Sequence, residues 1–251
     1  MEASSLPRPH RRVAVPSRRW LAPQSDERLV AHVRRGTEAA FEVIYDRHHR
    51  GILAFCRHML GSQDEAEDAV QHTFLSAYGE LGSDDRPIRL RPWLYTIARN
   101  RCLSMLRQRR EQALELPDIP TAGLSEAVLE REDLRRLVAD VQSLPEDQRA
   151  ALVLSELGDL SHREVAEVVG CEAQKVKALV FQARSSLIES RRASEIPCHE
   201  IREQLATLRG GALRRGPLRR HLRTCAGCAE FRDDVMRQRR SLAGMPRRSS
   251  G

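Results

Sequence analysis

The stretch from Ser161 to Leu187 restricts the possible folds more than any other part of this chain. Ser161 stands three residues ahead of Glu164, the spacing of a capping box that opens a helix. Val165, Ala166 and Val169 then recur at helical intervals, and Gly170 supplies a stop. After a short turn, Val176, Leu179, Val180, Ala183 and Leu187 mark the buried stripe of a second helix. This is helix-turn-helix spacing, in which the second helix offers its N-terminal side chains to a DNA major groove. Small Ala166 lets the helices approach closely, and Cys171 fills the turn. Lys175 and Lys177, the only lysines in the chain, fall at the start of the second helix, between Gln174 and the more distant Arg184. The residues alone also fit a plain αα-hairpin with a solvated lysine pair.

The rest of the chain reads as helical too. Its 251 residues leave room for two or three small domains. Apolar residues make up 41% and aromatics only 4%, so the cores rest on Leu, Val and Ala, which favour helices. No strand-like alternation persists, and the expected fold class is all-α. No apolar run is long enough for a membrane span, and the basic, proline-bearing N-terminus lacks the apolar stretch of a secretory signal.

The net charge of +7 points to an anionic partner, but its distribution says more. Residues 1–25 carry +4 and residues 196–251 carry +8, which leaves −5 for residues 26–195. The central region must therefore meet nucleic acid through local patches. Residues 1–25 read as a disordered basic arm, drawn weakly to DNA. A first helical block is expected over 26–110 and a linker over 111–124, where Pro117, Pro120 and Gly123 exclude a helix. A second block follows over 125–192. Ile196-Pro197 then breaks the chain ahead of a small cysteine-bearing domain over 196–235 and a basic tail over 236–251.

Charge is segregated within the first block. Asp64, Glu65, Glu67 and Asp68 lead into an amphipathic helix carrying Gln71 and Phe74. From Arg86 to Arg110 there is no acid, while Arg86, Arg89, Arg91, Arg99, Arg101, Arg107, Arg109 and Arg110 stand around Trp93 and Tyr95. Guanidinium groups for phosphates and flat rings for unstacked bases are what melted DNA needs. Burial of Trp93 and Tyr95 as core anchors is the competing reading.

Three segments of that block, Phe41–His48, Asp64–Phe74 and Trp93–Asn100, resemble region 2 of bacterial sigma factors. Leu144–Ala150 together with the helix-turn-helix is similar to region 4. The lack of a region 3 between them resembles the extracytoplasmic-function (ECF) subgroup. The resemblance implies that Asp64, Glu67, Asp68, Gln71 and Phe74 dock on the clamp helices of the RNA polymerase core. It implies that Arg86, Arg89, Arg91, Trp93, Arg99 and Arg101 hold a melted minus-10 element. Gln174, Lys175, Lys177 and Arg184 would meet the minus-35 element. Leu179 stands where the family usually carries arginine, and Phe181 and Gln182 where it carries polar or basic residues. Fewer phosphate contacts are expected there, and an exposed Phe181 offers a docking point for another domain, with the tail expected to lie over Leu179 and Phe181.

In the tail, His221, Cys225 and Cys228 fall at i, i+4 and i+7, one face of a helical turn. Imidazole and thiolate suit tetrahedral Zn²⁺, with Cys198 as fourth ligand and His199 as its competitor. Four protein ligands leave no open position, so one structural or redox-switchable zinc is expected rather than a catalytic one. Residues 196–235 resemble the zinc-binding anti-sigma fold, here fused to the segments it would regulate.

The expected protein is a cytoplasmic sigma factor, not an enzyme and with no catalytic residues. It binds polymerase core and promoter DNA but no membrane, and its zinc domain contacts the sigma segments. Two alternatives remain: a zinc-dependent helix-turn-helix regulator acting without polymerase, and a tail that recruits an outside partner instead of inhibiting.

Overall fold

The computed structural model describes residues 17–83, 86–115, 137–208, 210 and 216–243, and no strand forms among them. The chain divides into two compact units, Met1–Glu115 and Leu116–Gly251.

The first unit contains α1 (Arg18–Leu21), α2 (Asp26–Arg34), α3 (Glu38–Leu60), α4 (Gln63–Ser83) and α5 (Leu90–Glu115). The long helices α3, α4 and α5 pack side by side, with α2 laid against all three. Leu29, Ile44, Ile52, Phe55, Met59, Leu81 and Leu94 fill the space between them. Gly51 sits where α3 meets α5: a Cβ there would lie 2.7 Å from the Tyr95 hydroxyl, so any larger residue would have to push that ring aside. Pro92 lies in the first turn of α5, where a missing N–H costs nothing.

Two boundaries differ from those expected. Leu21 is fully buried and Trp20 stands edge-on to His32. Residues 17–25 thus join the folded unit instead of the arm, and 1–16 lie outside the described residues. At the other end α5 continues to Glu115, into the expected linker, the rest of which lies outside the described residues up to 136.

The second unit contains a helix α6, described over residues 137–142, then α7 (Glu146–Glu156), α8 (His162–Val169) and α9 (Ala173–Glu195). It continues with α10 (Cys198–Thr207), α11 (Gly216–Thr224) and α12 (Ala226–Ala243). Arg149 is buried and donates to the Leu144 carbonyl at 3.1 Å, and also to that of Gln142, which ties α7 to the end of α6. Helices α7, α8 and α9 close on Ala150, Leu154, Val165, Val168, Val176, Val180 and Ala183. The capping box is present: the Glu164 amide donates to Ser161 Oγ at 3.3 Å, and the Ser161 amide to the Glu164 carboxylate at 2.9 Å. Gly170 ends α8 in the left-handed conformation at φ 76°, which turns the chain into α9.

The tail has a small core of its own, Ile201, Leu205, Leu218 and Cys228, with Leu222 and Phe231 packed against it. Arg239 donates to the carbonyls of Leu205, Ala206 and Leu208, closing the end of α10. Helix α12 runs unbroken past the boundary expected at 235, and α9 past that expected at 192.

Candidate functional site

Three surfaces and the N-terminal end of α9 hold the candidate residues. The first is a groove of about 690 Å³ between α3 and α4. Asp64, Glu67, Asp68 and Gln71 are exposed along α4, but Phe74 is not: it is only 4% exposed. Its ring lies 4.7 Å from that of Tyr45 and 6.3 Å, edge-on, from that of Phe41. Phe74 is therefore part of the groove floor, which corrects its expected place in an exposed docking surface. The exposed apolar side chains on this part of α4 are Leu75 and Tyr78, at 66% and 46%. They lie four and seven residues beyond Gln71, and that continuation of the polar stripe was the available signal.

The second surface is the arginine-rich start of α5. Arg86 and Arg89 are exposed ahead of the helix, while Arg91, Trp93, Arg99 and Arg101 are half-buried. Tyr95 is buried edge-on against Phe55, their centroids 5.6 Å apart, so it is a core anchor. Arg99 and Arg101 stand about 200° apart around the helix axis, so the run is not one stripe. Arg109 is committed to an ion pair with Glu65 and a 3.4 Å hydrogen bond to the Leu60 carbonyl.

On α9, Gln174, Lys175 and Lys177 are exposed at the N-terminal end, and Arg184 pairs with Glu156 of α7. The expected Leu179–Phe181 pair is split. Leu179 is buried in the helix-turn-helix core, as its place in the apolar stripe requires, whereas Phe181 is 72% exposed.

The third surface is a cluster of Cys198, His221, Cys225 and Cys228, whose donor atoms all lie within 4.8 Å of one another. Cys198 Sγ is 3.7 Å from Cys225 Sγ and 3.8 Å from His221 Nε2. A tetrahedral zinc with Zn–S bonds of about 2.3 Å separates its sulfurs by about 3.8 Å, so the donor set fits. His199 is exposed and outside the set. His221, Cys225 and Cys228 do not share the one continuous helix that their spacing implies. Cys198 opens α10, His221 lies on α11, Cys225 is the corner between α11 and α12, and Cys228 is in the first turn of α12.

His221 is 2% exposed, and its Nδ1 lies 2.9 Å from the Ala193 carbonyl in the last turns of α9. Donation from Nδ1 leaves the Nε2 lone pair aimed at the cysteines, the tautomer a metal requires. A hydrogen bond from the Cys228 backbone N–H draws the Cys225 thiol down to about 7, while burial first, and then its neighbouring thiols, push Cys228 up to about 11. The tail thus rests on the far end of α9: Ser190 and Ala193 are buried and Arg220 pairs with Glu189. Phe181 stays uncovered, which corrects the expectation that the tail lies over it.

Residues 44–112 match sigma-70 region 2, and residues 134–187 match sigma-70 region 4. The RNA polymerase sigma-H factor of Pseudomonas aeruginosa is 30% identical over 184 residues, 66% of this chain and 94% of that protein. The ECF RNA polymerase sigma-E factor of Escherichia coli K12 is 30% identical over 177 residues, covering 65% and 92%. The chain belongs to the ECF group of sigma-70-type sigma factors.

Among solved structures, the sigma factor RpoE in complex with the anti-sigma factor NepR from Bartonella quintana aligns at TM-score 0.51 and 28% identity. That alignment covers 59% of this chain and 94% of RpoE. CnrH, solved with the cytosolic domain of CnrY, shares the fold at TM-score 0.54 and 24% identity, covering 68% of this chain and 100% of that one. As a sigma factor the protein directs RNA polymerase to promoters. The cysteine cluster lies beyond both matched regions. No helix among the described residues is long and apolar enough to cross a membrane.

Proposed function

We propose that this cytoplasmic, non-enzymatic sigma factor regulates itself through a zinc-loaded tail docked on its own region 4. The observation that carries the reading is the His221–Ala193 hydrogen bond, which joins a cluster of four metal-ligand residues to the promoter-reading helix. Cys198, His221, Cys225 and Cys228 hold one Zn²⁺ as a structural ligand set. The metal would cross-link three helices whose core, among the described residues, holds four buried side chains. His221 keeps its Nδ1 proton on Ala193, and Arg220 adds an ion pair to Glu189. A tethered domain acts at roughly millimolar effective concentration, so this modest contact suffices to keep the tail in place. Any polymerase surface that needs the covered end of α9 must first displace it.

The remaining roles rest on the family match together with the exposure of the residues. Asp64, Glu67, Asp68 and Gln71, with Leu75 and Tyr78, dock the clamp helices of the polymerase core, and Phe74 supports them from below. Arg86, Arg89 and Arg91, with Trp93, Arg99 and Arg101, hold the melted minus-10 strand. Gln174, Lys175 and Lys177 enter the major groove at the minus-35 element, with Arg184 flanking.

The test is transcription with core polymerase, alongside zinc analysis of the purified protein. One zinc per chain is expected, and Cys225→Ser should lose the metal and raise transcription. Absence of stoichiometric zinc under reducing conditions sinks the metal. Zinc without a gain in the variant makes the tail structural only.

A further inference from the structure

The α3/α4 groove has a floor and a rim of different chemistry. Its lining is apolar and aromatic, with Phe74 buried beneath Phe41, Tyr45, Leu53 and the exposed ring of Tyr78. Its rim carries Glu38, Glu42 and Glu67, and no lysine or arginine lines it. Such a surface fits an extended segment in which arginines alternate with small apolar residues. Leu6-Pro7-Arg8-Pro9-His10-Arg11-Arg12-Val13-Ala14-Val15-Pro16 is a segment of that kind.

The fold delivers this segment to the rim. Arg18, the first residue of α1, pairs with Glu42 at 3.7 Å and also with Asp46, and Glu42 is itself a rim residue. Ser17 enters α1 in extended conformation, at φ −70° and ψ 149°. The groove follows α3 from Glu38 to Leu53, about 22 Å at the helical rise. Residues 6–16 span about 36 Å when extended, enough to run its length. The three prolines of the segment favour an extended chain and lower the entropy lost on docking.

We infer that residues 6–15 lie in this groove in the free protein, with Arg8, Arg11 and Arg12 on the glutamates and Val13 and Val15 on the aromatic floor. The arm leaves when polymerase arrives, a consequence that rests on the groove being the core-docking surface. Tethering at the rim gives the arm roughly millimolar effective concentration, so weak affinity fills the site. An arm present nine-tenths of the time lowers the apparent affinity for core about tenfold.

A benzophenone amino acid replacing Val13 in the full chain tests the placement. Irradiation without polymerase should cross-link it, within one chain, to peptides spanning 41–53 or 70–78 of α3 and α4. Cross-links elsewhere in the protein, or none, overturn the inference, and so does transfer of the cross-link to added promoter DNA. Reversing the arm's charge with Arg8→Glu, Arg11→Glu and Arg12→Glu should abolish the cross-link and raise core affinity about threefold to tenfold. A groove cross-link with unchanged core affinity keeps the arm in place and removes the groove from the core interface. A missing cross-link, with core binding still lost in Asp68→Arg, overturns the arm and leaves the core surface standing.

Discussion

The region 2 unit and the cysteine-bearing tail are both small and helical, yet they cohere by different physics. In region 2, helices of 23, 21 and 26 residues bury Phe55, Ile44, Met59, Leu81 and Leu94 between them. Burial at about 25 cal/mol per Å² of apolar surface is enough to hold such a body. The tail has helices of 10, 9 and 18 residues, and among the described residues its own core is Ile201, Leu205, Leu218 and Cys228. So small a core leaves little margin over chain entropy, and under the proposed reading the metal and the contact with α9 supply the difference. One consequence is that region 2 can expose an aromatic groove for partners without losing its core. The tail has a smaller margin and uses the Ala193 carbonyl near the end of α9 to hold its histidine.

The sharpest way to break this comparison is to remove the metal. Zinc binding in small modules is worth about 10–16 kcal/mol and is also their folding free energy. Chelation or Cys225→Ser should therefore abolish amide-exchange protection across residues 198–240 while region 2 keeps its protection. Equal loss in both would show that region 2 does not stand on burial alone.

The next effect is the converse. Phe55→Ala removes a core ring that is only 2% exposed, and urea unfolding should show region 2 destabilised by about 3–5 kcal/mol. Zinc content should not change.

A paired substitution on α4 separates floor from surface. Phe74→Ala should cost about 3 kcal/mol of stability, since its ring is packed between Phe41 and Tyr45. Leu75→Ala, at an exposed position, should leave thermal unfolding within about 0.5 kcal/mol of the parent while weakening the pull-down of core polymerase. Loss of core binding in the first variant only would return the contact to Phe74.

The smallest effect concerns pH. Burial alone would raise the Asp26 carboxyl, but the hydrogen bond and charge of His48, and then of Arg47, outweigh it and hold the group below its ordinary value. The network therefore stabilises the fold fully above the ordinary carboxylate range and loses that contribution as pH falls through the lower, folded value. Asp26→Asn should flatten the acid limb of region 2 stability, measured by denaturant titration between pH 5 and pH 3, both approximate limits.

How far the sequence could be read depended on the distance over which each feature is set. The capping box at Ser161, the stop at Gly170 and the break at Ile196-Pro197 follow from hydrogen bonds and dihedrals within a few residues. The four candidate zinc ligands were legible because ligand chemistry and close spacing are visible in the chain itself, and His199 fell away only once α10 was placed. Phe74 was misread: helical periodicity names a face but not the neighbour covering it, and Phe41 and Tyr45 come from another helix. Arg109 lay within a run of like residues, yet Glu65 claims it from α4.

By itself the sequence determined an all-α chain with sigma regions 2 and 4 and a cysteine-histidine set beyond them, since period, caps and ligand types act locally. Only the tertiary structure decided that Leu179 is buried while Phe181 is exposed, and that the metal ligands meet at a corner of three helices. It also decided that the tail rests on the last turns of α9, away from the lysines that begin it. Those outcomes depend on which faces meet, and the energy of packing two surfaces is a property of the pair, which neither segment encodes alone.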